Sequence, residues 1–346
     1  MFEEVRKIMS PEEAREAIKP GKEQMKKKAE RDAAIKDIIA GRDKRLLLIV
    51  GPCSADNEDS VCDYCVRLAK VFEKVGDKIF IVPRIYTNKP RTTGEGYKGM
   101  LHQPDPEKQP DKKLTDIQAG ILAIRHMYVR VMNETGLSAA DEMLYPENTV
   151  YCDDLLSYTA VGARSTENQQ HRLVASGSDT SVGFKNPMNG SFPVLLNSIY
   201  AAQIPNEFKY LNKQVRTAGN EYAHAILRGS VDVYGNNVPN YHYEDVMRLR
   251  EMYLKEGLKN PAVIIDTNHS NSGKRPLEQV RIAKEVIYNM TGCKDFRNFV
   301  KGFLIESYIE DGNQPPDGTV YGKSITDGCL GWEKTEKLIY DMADKL

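Results

Sequence analysis

The sequence predicts an α/β protein: a (β/α)8 barrel, the TIM-barrel architecture, with an N-terminal helical extension and a small inserted β-hairpin. The first observation is the apolar run at 46–50, which has no polar alternation and stops at Gly51-Pro52. Such a run is typical of a strand buried on both faces of a parallel sheet. The second is that seven more apolar segments follow, each succeeded by a helical pattern, with neither a long linker nor a Gly-x-Gly-x-x-Gly loop. The third is that every one of these segments carries an ionisable or metal-binding residue at or next to its carboxyl end.

Eight strand and helix units account for most of the 346 residues. The predicted pairs are 46–50 with 60–75, 79–86 with 114–135, 138–144 with 153–158, 160–165 with 168–175, 181–185 with 192–202, 223–228 with 243–256, 262–269 with 277–290, and 303–307 with 331–344. Residues 1–40 are the predicted extension, packed outside the main fold where a partner subunit could meet it. In it, Ser10-Pro11 is a helix start and 22–31 a solvated helix face. Residues 41–346 are the predicted catalytic barrel, and 207–220 are its predicted hairpin.

The composition is that of an ordinary soluble protein, with 40% hydrophobic and 28% charged residues and a formal net charge of −1. The chain therefore offers no overall electrostatic footprint for nucleic acid, and a phosphate site must be a local concentration of Lys and Arg. The first ten residues lack the apolar core of a signal peptide, and no apolar stretch approaches the roughly 20 residues that span a bilayer. Six cysteines without a disulfide-dense pattern fit a reducing compartment. These observations predict a cytoplasmic protein that binds neither nucleic acid nor a membrane.

Six cationic side chains lie at or just after predicted strand ends: Arg84, Lys89, Arg91, Arg164, Lys185 and Arg228. Because the carboxyl ends of barrel strands meet at one mouth, we expect these side chains to converge. A single charge at a strand end is most often a surface ion pair, but cations that converge without an anion would be costly. Guanidinium and ammonium groups suit phosphate and carboxylate. The sequence therefore predicts two phosphorylated ligands, or one phosphate and one carboxylate.

Sulfur, nitrogen and oxygen donors occupy other strand ends. Cys53 follows the first strand, His269 ends the seventh, and Glu306 lies in the eighth. Asp327, in the segment after the eighth strand, could complete a four-ligand site. Mixed sulfur, nitrogen and oxygen ligation suits Mn, Fe, Co or Zn rather than Mg or Ca. The four residues are far apart in sequence, so spacing alone leaves open whether they share an ion.

Eight short motifs run in order through the chain from about residue 40 onward. They are Gly51-Pro52-Cys53-Ser54, Lys89-Pro90-Arg91-Thr92-Thr93, Gly162-Ala163-Arg164-Ser165-Thr166-Glu167, Gly183-Phe184-Lys185-Asn186, Ile226-Leu227-Arg228-Gly229, Ile265-Asp266-Thr267-Asn268-His269-Ser270-Asn271-Ser272, Glu306-Ser307, and Tyr321-Gly322-Lys323-Ser324-Ile325-Thr326-Asp327. Together they resemble class I 3-deoxy-D-arabino-heptulosonate 7-phosphate (DAHP) synthase, in the group that aromatic amino acids regulate.

The resemblance implies an aldol-type condensation of phosphoenolpyruvate with D-erythrose 4-phosphate and water, the first step of the shikimate pathway. It also implies one divalent metal ion, no organic cofactor, and a homodimer or homotetramer. The residues it implies are Cys53, His269, Glu306 and Asp327 for the metal, Arg84, Lys89, Arg164, Lys185 and Arg228 for phosphoenolpyruvate, Arg91 and Thr92 for the erythrose phosphate, and His269 and Asp266 as further substrate-binding residues. Cys53, His269, Lys89 and Glu142 are the expected catalytic residues. Of these, Lys89 would protonate the forming alkoxide and Glu142 would orient the water.

An aromatic amino acid is the candidate inhibitor that the resemblance implies. In the segment 144–150, Leu-Tyr-Pro-Glu-Asn-Thr-Val stands where the family carries a Thr-Pro-Gln segment of its inhibitor pocket. Ser178-Asp179 stands where regulated members carry Leu-Ser. These departures leave the regulation of this chain unpredicted.

Other hypotheses use the same residues. A related synthase would join phosphoenolpyruvate to another aldose, such as arabinose 5-phosphate or an N-acetylated sugar, but the loop 89–93 and the extension favour erythrose 4-phosphate. A non-catalytic sensor of an aromatic amino acid would need neither four metal ligands nor six cations.

Lys185 could instead be the Schiff-base lysine of an aldolase, but its cationic neighbours disfavour that role. Cys329 lies two residues after Asp327, so we expect it near Cys53, where metal loss and oxidation could join the two thiols.

Overall fold

Strands and helices alternate along the chain in the structure, a computed structural model that describes residues 1–91, 94–104 and 117–346. The strands are β1 (Leu46–Gly51), β2 (Ile79–Pro83), β3 (Ala139–Glu142), β4 (Leu156–Val161), β5 (Ser181–Lys185), β6 (Glu207–Tyr210), β7 (Lys213–Arg216), β8 (His224–Leu227), β9 (Ser230–Val231), β10 (Asn237–Val238), β11 (Val263–Asp266) and β12 (Val300–Glu306). The helices are α1 (Pro11–Ala17), α2 (Lys22–Ala40), α3 (Glu58–Val75), α4 (Ile117–Thr135), α5 (Gln169–Ser176), α6 (Phe192–Gln203), α7 (Tyr243–Lys255), α8 (His269–Ser272), α9 (Glu278–Gly292), α10 (Lys294–Phe299) and α11 (Trp332–Ala343), with a 3₁₀ helix at Pro146–Tyr151. Among the described residues, no helix is long and apolar enough to cross a membrane.

Eight of these strands form one parallel sheet in the order β2-β1-β12-β11-β8-β5-β4-β3. The two ends of this order meet, because Arg84 forms a parallel bridge with Ala140 and the Ile85 N–H donates to the Ala140 carbonyl at 2.9 Å. The sheet is thus a barrel, and the predicted (β/α)8 fold is confirmed. The antiparallel pair β6 and β7 is the predicted hairpin. A second ribbon, β9 with β10, was not predicted.

Two apolar cores lie on opposite sides of the barrel wall. In β1, Leu47 and Ile49 face the interior, while Leu46, Leu48 and Val50 pack against the surrounding helices. All five side chains are buried. This two-sided burial explains why the run carries no polar alternation, since every position of the strand faces an apolar neighbour.

Helix α2 lies against the amino ends of the strands. Its residues Ile35, Ile38 and Ile39 belong to the core inside the barrel. Arg31 is also buried, donates from Nε to Ser138 Oγ at 3.1 Å, and has its guanidinium carbon 4.6 Å from the centre of the Phe80 ring. Burial lowers the pKa of Arg31 to about 10. The predicted solvated face over 22–31 is therefore wrong at Arg31, and at Lys28, which is buried beside Asp32. The division at residue 40 into extension and barrel stays a prediction.

The predicted helix at 153–158 is wrong, because β4 begins at Leu156 and the connection before it is the 3₁₀ helix. The pair Asp153-Asp154 is typical of a helix amino end in sequence. In the structure these carboxylates form ion pairs instead, Asp153 with Arg15 at 2.6 Å and Asp154 with the buried Arg125 at 2.7 Å. Tertiary ion pairs thus override the local signal, and the fourth strand lies earlier than the predicted 160–165.

We predict that Ile38→Ala destabilises the protein by about 2–5 kcal/mol, because it leaves a cavity in the core inside the barrel. Lys26→Ala, on an exposed position of the same helix, should change the free energy of unfolding by less than about 0.5 kcal/mol. Urea unfolding of both variants measures the difference. Equal effects of the two substitutions would contradict the placement of α2 as the helix that closes the barrel.

Candidate active site

The carboxyl ends of the barrel strands surround a cavity of about 230 Å³. The predicted site residues that line it are Cys53, Arg84, Lys89, Arg91, Glu142, Arg164, Lys185, Arg228, His269 and Asp327. Asp266 and Glu306 are fully buried and pair with lining residues from behind. Thr92 lies outside the described residues. The barrel thus gathers the six predicted cations and the predicted donors at one mouth.

A chain of opposite charges runs along the floor of the cavity. The Lys185 ammonium lies 3.0 Å from Glu142 Oε2 and 3.8 Å from Asp266 Oδ2. Asp266 Oδ2 is in turn 2.9 Å from His269 Nδ1. Burial alone would raise the pKa of Glu142, but the charges of Lys185 and Lys89 lower it to about 2. For Asp266 the opposing charge of His269, followed by that of Lys185, outweighs burial and lowers the pKa below its usual range.

Arg84 and Glu306 form a buried ion pair with an Nη2 to Oε1 distance of 2.7 Å. Arg84 Nη1 also donates to the carbonyl of Cys53 at 2.9 Å, which ties the guanidinium to the end of β1. The second carboxylate oxygen of Glu306 accepts from the Asn268 side-chain amide. Burial would raise the pKa of Glu306, but Arg84 and then His269 lower it. The carboxylate is therefore ionised and held on both oxygens.

Two buried guanidinium N–H groups at the cavity have no hydrogen-bond partner among the described residues: Nε of Arg84 and Nε of Arg228. Arg228 is only 4% exposed, and its Nη1 donates to Ser270 Oγ at 3.1 Å. Burial lowers the pKa of Arg228, while Asp266 raises it and the nearby charge of Arg164 lowers it further. An unmet buried donor costs about 1–3 kcal/mol. An anion that accepts from both guanidinium groups would remove that cost.

Cys53 Sγ, one oxygen of Glu306 and one oxygen of Asp327 lie within 4.8 Å of one another. His269 Nε2 is 3.8 Å from Glu306 Oε1, next to this cluster. Sulfur, nitrogen and carboxylate oxygen together form a donor set that suits Mn, Fe, Co or Zn. The Lys89 ammonium donates to Cys53 Sγ at 3.1 Å. Three of the four predicted ligands thus cluster closely enough to share one ion, and His269 lies beside them next to Glu306.

The backbone of His269 is strained. Its φ is +51°, in the left-handed region that costs a residue with a Cβ of order 1–3 kcal/mol. The turn is kept by Lys274, whose N–H donates to the His269 carbonyl at 2.8 Å. Strain of this kind is concentrated at functional sites, where the surrounding structure enforces it. Here it turns the imidazole toward Asp266 and Glu306.

Tyr86, just past the end of β2, has no predicted role, but its ring meets three cations of the site. The Arg84 guanidinium carbon is 3.7 Å from the ring centre, Lys185 Nζ 5.5 Å and Lys89 Nζ 5.8 Å. The negative face of an aromatic ring attracts cations at these distances. Sequence patterns do not reveal this contact, because Tyr86 is an ordinary aromatic residue in a strand-like segment.

Asn268 and Lys274 are two further site residues that the sequence analysis did not assign. Asn268 donates to Glu306, and the Lys274 ammonium lies 3.4 Å from Asp327 Oδ1. Both flank His269 in the sequence. Polar neighbours of a metal ligand commonly orient the other ligands, so the place of Asn268 in the motif 265–272 was an available signal, whereas Lys274 lies two residues beyond that motif.

A model of the DAHP synthetase I family matches residues 18–339 of this chain. The Tyr-sensitive phospho-2-dehydro-3-deoxyheptonate aldolase of Escherichia coli (strain K12) is 35% identical over 348 residues, which are 98% of this chain and 93% of that protein. The Phe-sensitive enzyme of the same organism is 37% identical over 320 residues, which are 90% and 86% of the two chains. The phenylalanine-inhibited enzyme of Saccharomyces cerevisiae is 34% identical over 322 residues, 89% and 83%.

A solved structure shows the same architecture. The phospho-2-dehydro-3-deoxyheptonate aldolase from Francisella tularensis superposes with a TM-score of 0.91 at 29% identity. The match covers 100% of this chain and 98% of that chain.

We predict that oxidation after chelation joins Cys53 to Cys329. Both thiols are buried and free, and the backbone nitrogen of Cys53 lies 3.3 Å from Cys329 Sγ, so the two residues are in contact. Peptide mapping without reductant should find this disulfide in the chelated protein and not in protein incubated with Mn²⁺, and Cys329→Ser should abolish it. Loss of function on oxidation that thiol reductants never reverse would contradict the prediction.

Proposed function

Because the chain belongs to the DAHP synthetase I family, we propose that this DAHP synthase condenses phosphoenolpyruvate with D-erythrose 4-phosphate and water and releases phosphate. In the reaction, C3 of phosphoenolpyruvate attacks the aldehyde carbon, water adds at C2, and phosphate leaves by C–O cleavage. The proposal includes a homodimer or homotetramer in the cytoplasm.

The observation that carries the proposal is the cationic cavity with two buried guanidinium donors, Arg84 Nε and Arg228 Nε, that have no acceptor in the described part of the chain. The cations that would hold the phosphate and carboxylate of phosphoenolpyruvate are Arg84, Lys89, Arg164, Lys185 and Arg228. Arg91, on the loop after β2, would hold the phosphate of the aldose together with Thr92. Three of these cations, Arg84, Lys185 and Arg228, are buried, and a barrel that only sensed an aromatic amino acid would gain nothing from them.

Cys53, His269, Glu306 and Asp327 would hold one divalent metal ion. When bound, the ion supplies Lewis-acid polarisation of the aldehyde oxygen. Glu306 is already ionised and fixed on both oxygens by Arg84 and Asn268, and the His269 ring is oriented by Asp266. The protein therefore presents these ligands in a preset arrangement.

Glu142 would orient the water that adds at C2. Its pKa of about 2 lies below the usual 4.5, so the carboxylate is ionised at neutral pH and would accept a hydrogen bond from that water. The stabilisation from its ion pair with Lys185 is complete above pH 4.5 and is lost as the pH falls toward 2. Lys89, the cation beside Cys53, would protonate the forming alkoxide.

Regulation by an aromatic amino acid belongs to the proposal because relatives carry the names Tyr-sensitive and Phe-sensitive. A second cavity of about 650 Å³ lies between the amino-terminal helices, α5 and the β6–β7 hairpin. Ser178 and Asp179, which depart from the regulated members, line it with Phe208 and Tyr210. This cavity is the candidate inhibitor site.

The rival hypothesis of another aldose is tested by product analysis. We expect erythrose 4-phosphate to be preferred over arabinose 5-phosphate by roughly 10- to 200-fold in kcat/KM, the scale of discrimination by one added carbon unit. Mass spectrometry of the product, with phosphate release as the rate, makes the comparison. A higher kcat/KM with arabinose 5-phosphate would contradict the proposed substrate and identify the protein as a related synthase that uses a five-carbon sugar.

Lys89→Met should lower kcat by roughly 10²- to 10⁴-fold, the usual contribution of a general acid, while metal content falls far less. Lys98→Met, an exposed position of the same loop, is the matched control and should retain activity. Turnover and metal content, the latter by elemental analysis, are measured on the same samples. Unchanged turnover in Lys89→Met would remove Lys89 from the mechanism.

A further inference from the structure

The barrel has one weakly paired seam, between β2 and β3. Every other neighbouring pair of barrel strands shares a ladder of three or more residue pairs. Across this seam, the described residues form a single parallel bridge, Arg84 with Ala140, and the Ile85 N–H donates across it. The seam separates Arg84 and Lys89 on one side from Glu142 on the other. A small shift here would move two sets of active-site groups apart.

The carboxylate of Asp141 bridges this seam. Its Oδ1 accepts from the backbone N–H of Thr87 at 3.0 Å and from that of Glu142 at 2.7 Å. Its Oδ2 accepts from the hydroxyls of Thr87 and Tyr128, both at 2.6 Å. The residue is 7% exposed. Four donors converge on one buried carboxylate, and its charge is met by hydrogen bonds rather than by a cation.

Thr87 is the base of the loop that carries Lys89 and Arg91. Its carbonyl accepts from the Met100 N–H at 2.7 Å, where the chain returns from the loop. Gly99 lies so close that a Cβ on it would stand 2.3 Å from the Thr87 carbonyl oxygen. The orientation of the loop relative to the barrel therefore depends on how Thr87 is held.

We propose that Asp141 is a positioning residue for the aldose phosphate. With Thr87 it forms a clasp that fixes Lys89 and Arg91 relative to Glu142. The inference rests on the proposed function for the identity of the substrate, while the clasp itself rests on the hydrogen bonds alone.

The two substrates should respond differently to loss of the clasp. Arg84 is held by Glu306, and Lys185 by Glu142, so these cations keep their partners without Asp141. Arg91 Nε donates to the Tyr97 carbonyl of the same loop at 2.8 Å, and the position of that loop depends on Thr87.

Burial raises the pKa of Asp141 to about 6, and the hydrogen bonds from Thr87 and Tyr128 oppose this shift. The Asp141 carboxylate therefore accepts these hydrogen bonds as an anion at neutral pH.

The test compares Asp141→Asn and Thr87→Val with Tyr128→Phe. All three weaken or remove hydrogen bonds of the same carboxylate, but Tyr128→Phe leaves its bonds to Thr87 intact. We expect Asp141→Asn and Thr87→Val to raise KM for erythrose 4-phosphate roughly 10- to 100-fold, the scale expected when a catalytic group is misplaced by about 1 Å. The dissociation constant of phosphoenolpyruvate, from calorimetry, should change by less than about 3-fold, and Tyr128→Phe should leave both constants near wild type.

The proposal fails if both Thr87→Val and Tyr128→Phe keep the wild-type KM for the aldose while they lose similar amounts of thermal stability. Asp141 would then be only a structural residue. Amide hydrogen exchange over residues 84–91 gives a readout that does not need turnover. We expect exchange at Thr87 to be roughly 10-fold faster in Asp141→Asn, because an amide oxygen accepts more weakly than a carboxylate. Inactive wild type with erythrose 4-phosphate would refute the proposed function, and unchanged exchange would refute the clasp.

Discussion

Positive charge at the mouth of the barrel is the constraint on which the rest of the structure depends. Arg84, Lys89 and Lys185 converge there, and each lies against an acceptor of the chain: Arg84 against Glu306 at 2.7 Å, Lys89 against Cys53 Sγ at 3.1 Å, and Lys185 against Glu142 at 3.0 Å. The Tyr86 ring adds an attractive face to all three cations. Desolvated cations are tolerated only with such partners. Among the described residues, the Nε–H groups of Arg84 and Arg228 have no acceptor, and an anion is the ligand that such donors suit.

The barrel separates stability from chemistry. At the amino ends of the strands, α2 packs isoleucines into the interior and Arg31 donates to Ser138. At the carboxyl ends, side chains from eight different strands and their loops meet in one cavity. This division is general for parallel barrels, in which loops at the carboxyl face carry the reactive groups. The strained backbone of His269 and the single bridge between β2 and β3 both lie at this face.

Much of the fold was predictable because buried parallel strands leave a strong signal: the run at 46–50 is apolar on both faces, and β1 packs on both faces. The convergence of the strand-end residues followed from the same geometry. The failures have physical causes. Asp153 and Asp154 are typical of a helix start in sequence, but in the structure they form ion pairs with Arg15 and Arg125, which are distant in sequence. Tyr86 and Asp141 act through contacts across strands, and a single sequence carries no pattern that specifies such contacts.

In the proposed function, the cavity joins phosphoenolpyruvate to erythrose 4-phosphate with the help of an ion held by Cys53, His269, Glu306 and Asp327. The most direct test measures phosphate release from the two substrates after chelation, and again after addition of Mn²⁺. We predict that activity vanishes on chelation and returns with the metal. Activity that is indifferent to a chelator would contradict the metal site, and absence of phosphate release with the metal restored would contradict the reaction.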